Sequence, residues 1–199
     1  MSISVRNDVL ADRIGGTPGT ARLAKQAMMV VLGIAVLAIS AKIKVPMWPV
    51  PITMGTFAVL GIGAAYGPRL GLVTILGYML VGALGFDVFA GSSAEKAGLD
   101  YMTGTTGGYL VGFVLATVAL GALAQRGWDR SVVWMALALL IGNVLIYVPG
   151  LFWLGTLLGW DKPILQWGMT PFLIGDAIKL ALAALLLPAL WKLVGDARG

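Results

Sequence analysis

Asp176 and Lys179 are the residues whose types and spacing most plainly could do chemistry. They stand three positions apart in Thr170-Pro171-Phe172-Leu173-Ile174-Gly175-Asp176-Ala177-Ile178-Lys179-Leu180, and the chain beyond them stays apolar to Trp191. On a helix that spacing puts both side chains on one face, close enough to pair. A charge at the centre of a membrane-spanning helix costs roughly 2.5–3.5 kcal/mol on insertion scales, so such residues face a protein interior or a water-filled cavity. Two readings follow. The pair neutralises itself and holds its helix against its neighbours, or it offers an acceptor and a donor to a polar ligand.

Other chemistries are narrowed by what the sequence lacks. There is no His and no Cys, hence no imidazole base, no thiolate nucleophile, no disulfide and no Cys- or His-ligated metal. No Gly-x-x-x-x-Gly-Lys-Ser/Thr loop occurs, so the chain is not expected to hydrolyse ATP itself. No catalytic residue, metal site or cofactor is expected. No basic stripe with interleaved aromatics points to nucleic acid.

Weaker candidates surround the pair. Gly104-Thr105-Thr106-Gly107-Gly108-Tyr109 leads into an apolar segment. At Thr106 and Gly107 the backbone N–H groups and hydroxyls of a helix start can bind an anion or a polar ligand, or can simply cap the helix. The row Gly104, Gly108, Gly112, Ala116 reads as a close helix–helix contact. Tyr109 can offer a ring and a hydroxyl to a pocket. Asn143 lies mid-segment, where it bonds another helix or a ligand. Trp48 and Phe89 fall on connections, as interface anchors or as caps over a bound ring.

The elements that must position these residues are membrane helices. Of 199 residues 59% are hydrophobic and only 12% charged, and the mean hydropathy is +0.91, whereas soluble domains carry about a quarter charged residues. The 28 glycines suit closely packed membrane helices. Residues 1–25 are polar and mixed in charge, without the apolar core of a cleaved signal, and read as a cytoplasmic arm. Six apolar segments follow, at about 26–41, 52–66, 70–85, 107–124, 132–158 and 171–193, within a transmembrane domain of residues 26–194 and before a tail of 195–199. Lys44-Val45-Pro46-Met47-Trp48-Pro49-Val50-Pro51 cannot continue a helix, Gly67-Pro68-Arg69 is a tight turn, and Pro149-Gly150 is expected to kink or break the fifth segment.

Six crossings put both termini on one side. With that side cytoplasmic, its parts hold Arg6, Arg13, Arg22, Lys25, Arg69, Arg126, Arg130, Lys192 and Arg198, against Lys42, Lys44, Lys96 and Lys162 outside. The excess orients the termini inward. At ~1.5 Å per residue the Asp176–Lys179 pair then lies about 10–15 Å below the outer end of the last helix, beneath the Pro-rich connection, the 86–106 loop and the last loop. The expected class is an all-α, multi-pass membrane protein.

Four stretches now quoted together resemble a known family: Lys44-Val45-Pro46-Met47-Trp48-Pro49-Val50-Pro51-Ile52-Thr53, Gly85-Phe86-Asp87-Val88-Phe89-Ala90-Gly91, Thr106-Gly107-Gly108-Tyr109 and Pro171-Phe172-Leu173-Ile174-Gly175-Asp176-Ala177-Ile178-Lys179, in this order. From about Gln26 onward the chain resembles BioY, the biotin-specific substrate-binding (S) component of energy-coupling factor (ECF) transporters. The resemblance implies an S-component bundle of six helices in a bacterial cell (inner) membrane and an outward-facing vitamin site. It also implies a lid in the loop between the third and fourth helices, and as partners a transmembrane coupling (T) subunit with a pair of ABC ATPases. Riboflavin or thiamine as ligand, or a non-transport membrane protein, are the alternatives. Where the family has Pro before its Thr-Gly-Gly-Tyr motif, this chain has Thr105. No Ala-x-x-x-Ala, the usual coupling contact of the first helix, occurs between Ala27 and Ala41.

Biotin suits the residues. Its ureido ring offers two N–H donors to Asp176 and one carbonyl to Lys179, through charge-assisted bonds worth about 1.5–3 kcal/mol each. Trp48, Phe89 and Tyr109 are candidate apolar walls. Thr106, Gly107 and Asn143 are further candidates for its polar groups. For the biotin carboxylate the expectation is Lys96, Ser92 or the backbone N–H groups of residues 89–93, including Gly91.

Overall fold

The structure, a computed structural model, describes residues 8–13, 20–93 and 97–196. In chain order come α1 (Leu10–Arg13), α2 (Thr20–Lys42), the strands β1 (Lys44–Val45) and β2 (Ile52–Thr53), α3 (Gly55–Ala83), α4 (Gly98–Met102), α5 (Gly107–Gln125), α6 (Val132–Leu158), α7 (Ile164–Gly168) and α8 (Leu173–Asp196). The Pro-rich connection is an antiparallel hairpin with Lys44 opposite Thr53 and Val45 opposite Ile52. Among the described residues, five helical stretches are long and apolar enough to cross a membrane: Ala21–Lys42, Gly55–Ala83, Gly107–Gln125, Val132–Leu158 and Ile164–Val194.

α3 is two helices joined back to back. Gly67 interrupts it at φ 76° and ψ 175°, a conformation open to glycine and costly for other residues. A Cβ built on Gly71 would lie 3.6 Å from the Cα of Gly63, although residues eight apart on a straight helix are about 12 Å apart. The halves, 55–66 and 68–83, therefore fold back on each other at the Gly67-Pro68-Arg69 turn.

The small-residue row on α5 is the seam with α6. A Cβ on Gly108 would stand 2.3 Å from the Pro149 carbonyl oxygen, and one on Gly112 would stand 2.8 Å from those of Leu145 and Ile146. Pro149 has no N–H for the Leu145 carbonyl four residues back, and that oxygen faces the bare backbone of Gly112. Of the kink or break expected at Pro149-Gly150, the break does not occur: α6 continues through Pro149. The tight seam supplies the packing that keeps it helical.

The first helix also departs from expectation. It begins at Thr20, not near Gln26. Ahead of it, Val9, Leu10 and Ala11 are buried in the core, and a Cβ on Gly67 would meet Val9 at 3.2 Å. This part of the N-terminal segment is packed against the bundle because three consecutive apolar side chains join the core, with Val9 over the turn at Gly67. The rest of the expected arm lies largely outside the described residues.

The bundle has two distinct ends. One carries the β-hairpin, the 84–106 loop and the α6–α8 connection, tied together by Lys42–Asp87, Trp153–Gly104 and Trp48–Trp167 contacts. The other carries Val9, the Gly67 turn, the α5–α6 turn and the end of α8. There Trp191 Nε1 donates to Asp129 Oδ2 at 2.5 Å and the Arg130 guanidinium lies 4.5 Å over the Trp191 ring. Asp129 is fully buried, and its Oδ1 has no hydrogen-bond partner among the described residues. Burial pushes its carboxyl up to about 6, against the opposing pull of the Trp191 hydrogen bond and the Arg130 charge.

Candidate functional site

A narrow cavity opens inside the hairpin end, between α2, both halves of α3, α5, α6 and α8. It leaves about 70 Å³ to the centres of water-sized molecules, room for about five to seven waters at about 10–15 Å³ each. Its walls are apolar: Leu37 and Ala41 from α2, Val59 and Tyr78 from the two halves of α3, Leu110 and Phe113 from α5, Ile146 from α6 and Phe172 ahead of α8. The polar groups gather at Lys179, Thr56 and Tyr147, which also line it.

These three converge on Asp176. Lys179 Nζ donates to Asp176 Oδ1 at 2.9 Å and to the Thr56 hydroxyl at 3.2 Å. The Thr56 hydroxyl donates to the same Oδ1 at 3.4 Å, and the Tyr147 hydroxyl donates to Oδ2 in a short contact. Asp176 is 6% exposed and Lys179 9%, so the charges are paired and hydrogen-bonded as burial requires. The cause is local sequence: the i,i+3 spacing on α8 aims both inward, while Thr56 on the first turn of α3 and Tyr147 on α6 close the network from two other helices. Asp176 itself does not line the main cavity. It stands one layer behind Lys179, at a crevice of about 10 Å³ shared with Asn143.

The 84–106 loop roofs the cavity. Phe89 is only 1% exposed, edge-on to Tyr78 at 5.2 Å and stacked on Tyr101 at 5.1 Å. Its ring occupies the space where Gly82 has no side chain; a Cβ there would meet Phe89 Cζ at 2.1 Å. Phe89 is thus a core residue of the roof, not an interface anchor. The loop is held by Lys42 Nζ, which donates to Asp87 Oδ1 at 2.5 Å and to the Phe89 carbonyl at 2.8 Å, and by Ser92, whose hydroxyl donates to Asp87 Oδ1 at 2.5 Å and accepts from the Phe89 N–H at 3.1 Å. Hydrogen bonds from Lys42 and Ser92 hold the Asp87 carboxyl below its usual range, with a smaller contribution from the Lys44 charge.

The structure brings together some of the residues singled out by sequence and separates others. Lys179, Tyr109, Phe89 and Thr106 line the main cavity. Tyr109 is buried, and its hydroxyl is engaged by the Gly168 carbonyl at 2.8 Å, so it presents ring rather than hydroxyl. Asn143 reaches only the crevice behind the pair. Gly107 lines neither: a Cβ there would stand 2.4 Å from the Met102 carbonyl oxygen and 3.0 Å from Trp153 Nε1, the mark of close packing. Trp48 is 67% exposed and, with Gly91, lines an outer vestibule of about 310 Å³. Ser92 is buried and holds the loop, so its hydroxyl is not offered to a ligand. Lys96 lies outside the described residues. Thr105, where the family motif has Pro, donates to the Pro49 carbonyl at 2.8 Å and ties the start of α5 to the hairpin.

Thr56, Tyr147 and Tyr101 are the residues that sequence reasoning missed. Tyr147 stands four positions after Asn143, one turn along the same helix, and that polar pair within an apolar run was the available signal. Nothing in the sequence marks Tyr101, which lines both main cavity and vestibule.

A model described as the BioY family matches residues 11–196. A Pyrococcus horikoshii protein named probable biotin transporter BioY is 37% identical over 163 residues, covering 82% of this chain and 94% of that one. The biotin transporter BioY of Thermotoga maritima is 35% identical over 159 residues, covering 80% and 91%. A crystal structure of the S-component for biotin from an ECF-type ABC transporter shares the fold, with a TM-score of 0.73, 21% identity and coverage of 88% of this chain and 95% of that one.

Proposed function

The chain belongs to the BioY family, and on that footing we propose that it captures biotin and serves its uptake across the cell membrane as the substrate-specificity subunit of an ECF-type transporter. The observation that carries this is the charged and hydroxylic cluster at one end of an otherwise apolar cavity. A fused bicyclic urea needs that pattern: polar groups for the ring's N–H and carbonyl groups, apolar walls for the rest.

Lys179, Thr56 and Tyr147 face the cavity and can serve the ureido carbonyl. Asp176 lies one layer back, and a ureido N–H reaches it by taking the place of the Tyr147 or Thr56 hydroxyl on its carboxylate. The exchange is balanced: the carboxylate trades neutral donors for neutral donors, and the freed hydroxyls turn to the ligand. Phe89 and Tyr101 lie over the cavity, so the roof that carries them moves outward to admit a ligand. The Lys42–Asp87–Ser92 contacts hold that roof and act as its latch.

With the halves of α3 counted separately the chain makes six crossings, and the excess of Lys and Arg at the Gly67 end orients that end and both termini to the cytoplasm. The hairpin end and its vestibule then face outward. Any ATP consumed is hydrolysed by partner ATPases acting through a transmembrane coupling subunit. The test is mass spectrometry of the small molecules released on denaturing protein purified from biotin-containing medium. One equivalent of biotin is expected. Riboflavin or thiamine in its place, or no biotin from folded, monodisperse protein, would overturn the reading.

A further inference from the structure

The polar cluster accounts for one end of a biotin-like ligand and leaves its carboxylate unserved. Two adjacent cavities lie at the hairpin end. The main cavity and the outer vestibule share Pro51, Ala90, Tyr101 and Thr106 in their walls, so a ligand seated on Lys179 can lead its tail past these residues into the vestibule. Among the described residues the two linings hold two cations: Lys179 in the main cavity and Lys44 in the vestibule. Lys179 is already neutralised by Asp176.

Lys44 is differently placed. It sits in β1, fixed opposite Thr53 by the hairpin, and Thr53 lines the main cavity. Its ammonium donates to the carbonyl of Ala90, one of the residues shared by the two cavities. An ammonium has three donors, and among the described residues Lys44 has a carbonyl as its hydrogen-bond partner; its charge reaches the Asp87 carboxylate, but that carboxylate is hydrogen-bonded by Lys42 and Ser92 instead. The neighbouring Lys42 contrasts with it, being committed to the Asp87 carboxylate and the Phe89 carbonyl.

We infer that Lys44 is the residue that recognises the ligand's carboxylate, and that it selects the free acid over neutral derivatives. This rests on the biotin reading above. One lysine is buried against an aspartate for the ring, and one stands exposed at the mouth for the anionic tail. The exposed position limits the gain through solvent screening, so the expected selectivity is about tenfold, equivalent to ~1.4 kcal/mol.

The experiment compares biotin with biotinamide, whose tail is neutral, by titration calorimetry on detergent-purified full-length protein from biotin-free medium. The native protein is expected to prefer biotin by about tenfold. Lys44→Met should remove that preference while leaving biotinamide affinity within about twofold, and Lys44→Arg should restore it. Raising ionic strength should shrink the preference of the native protein. A preference that survives Lys44→Met, or an equal loss for both ligands, would overturn the assignment and leave biotin capture standing. Native protein that binds neither ligand would remove both readings together.

Discussion

Replacing the Asp176–Lys179 pair one member at a time and then together separates a pair that only holds helices from one that also holds ligand. Lys179→Met leaves the Asp176 carboxylate 6% exposed, with the hydroxyls of Thr56 and Tyr147 as neutral donors and no cation. Removing one partner of a buried pair costs about 3–5 kcal/mol. For a chain of this size each kcal/mol moves Tm by about 2–4 °C, so the single variant should melt about 6–20 °C below the native protein. Combining it with Asp176→Leu removes the orphaned charge and recovers part of that loss. About 1–3 kcal/mol is retained by the Tyr147 hydroxyl, which loses its acceptor. Ligand binding should not recover. One charge-assisted hydrogen bond to the ligand, at about 1.5–3 kcal/mol, is worth about 10- to 150-fold in affinity, and the double variant lacks the groups that make such bonds. Thermal melts in detergent and titration with biotin read the two quantities separately. A double variant that recovers its melting point and binds biotin within about twofold of the native protein would show that the pair is structural and that ligand recognition lies elsewhere.

Two further outcomes are expected. Gly82→Ala places a methyl 2.1 Å from Phe89 Cζ and should drive that ring out of the roof, costing about 1–3 kcal/mol as an overpacked site does and weakening biotin. Gly61→Ala, in the other half of α3, meets nothing within 4 Å and should be neutral or stabilising in the same melts; equal losses at both positions would refute the packing account. At the other end, Asp129 has a carboxyl raised from 3.8 to about 6 by burial. The folded protein therefore binds this proton more tightly than the unfolded chain. Its contribution to stability is greatest below about pH 4, is lost as pH rises to about 6, and stays lost above. The gap amounts to about 3 kcal/mol at ~1.4 kcal/mol per pH unit. Asp129→Asn should flatten that part of the stability–pH profile and melt no lower than the native protein at pH 7.5. An unchanged profile would refute the burial argument.

Much of this molecule is legible in its sequence because a membrane simplifies the physics. Apolar runs of about 20 residues, Gly67-Pro68 as a reversal, prolines at 46, 49 and 51 that forbid a helix, and two charges spaced to share a helical face all follow from rules that act within a dozen residues. The small-residue row on α5 is of the same kind, since absent side chains permit close approach wherever the partner comes from. Only the tertiary structure decided the rest. Pro149 leaves α6 unbroken because Gly108 and Gly112 bring α5 against it. Phe89 leaves the surface because Gly82, seven residues earlier on another element, vacates a ring-sized space. Thr56 and Tyr147 become functional candidates because three helices bring their hydroxyls to one carboxylate across 120 and 29 residues of chain. Hydropathy and spacing register what a residue costs to bury and which face of its own helix it shares. They carry no record of which distant hydroxyl, carbonyl or ring will meet it there, because that is set by the packing of whole helices against one another.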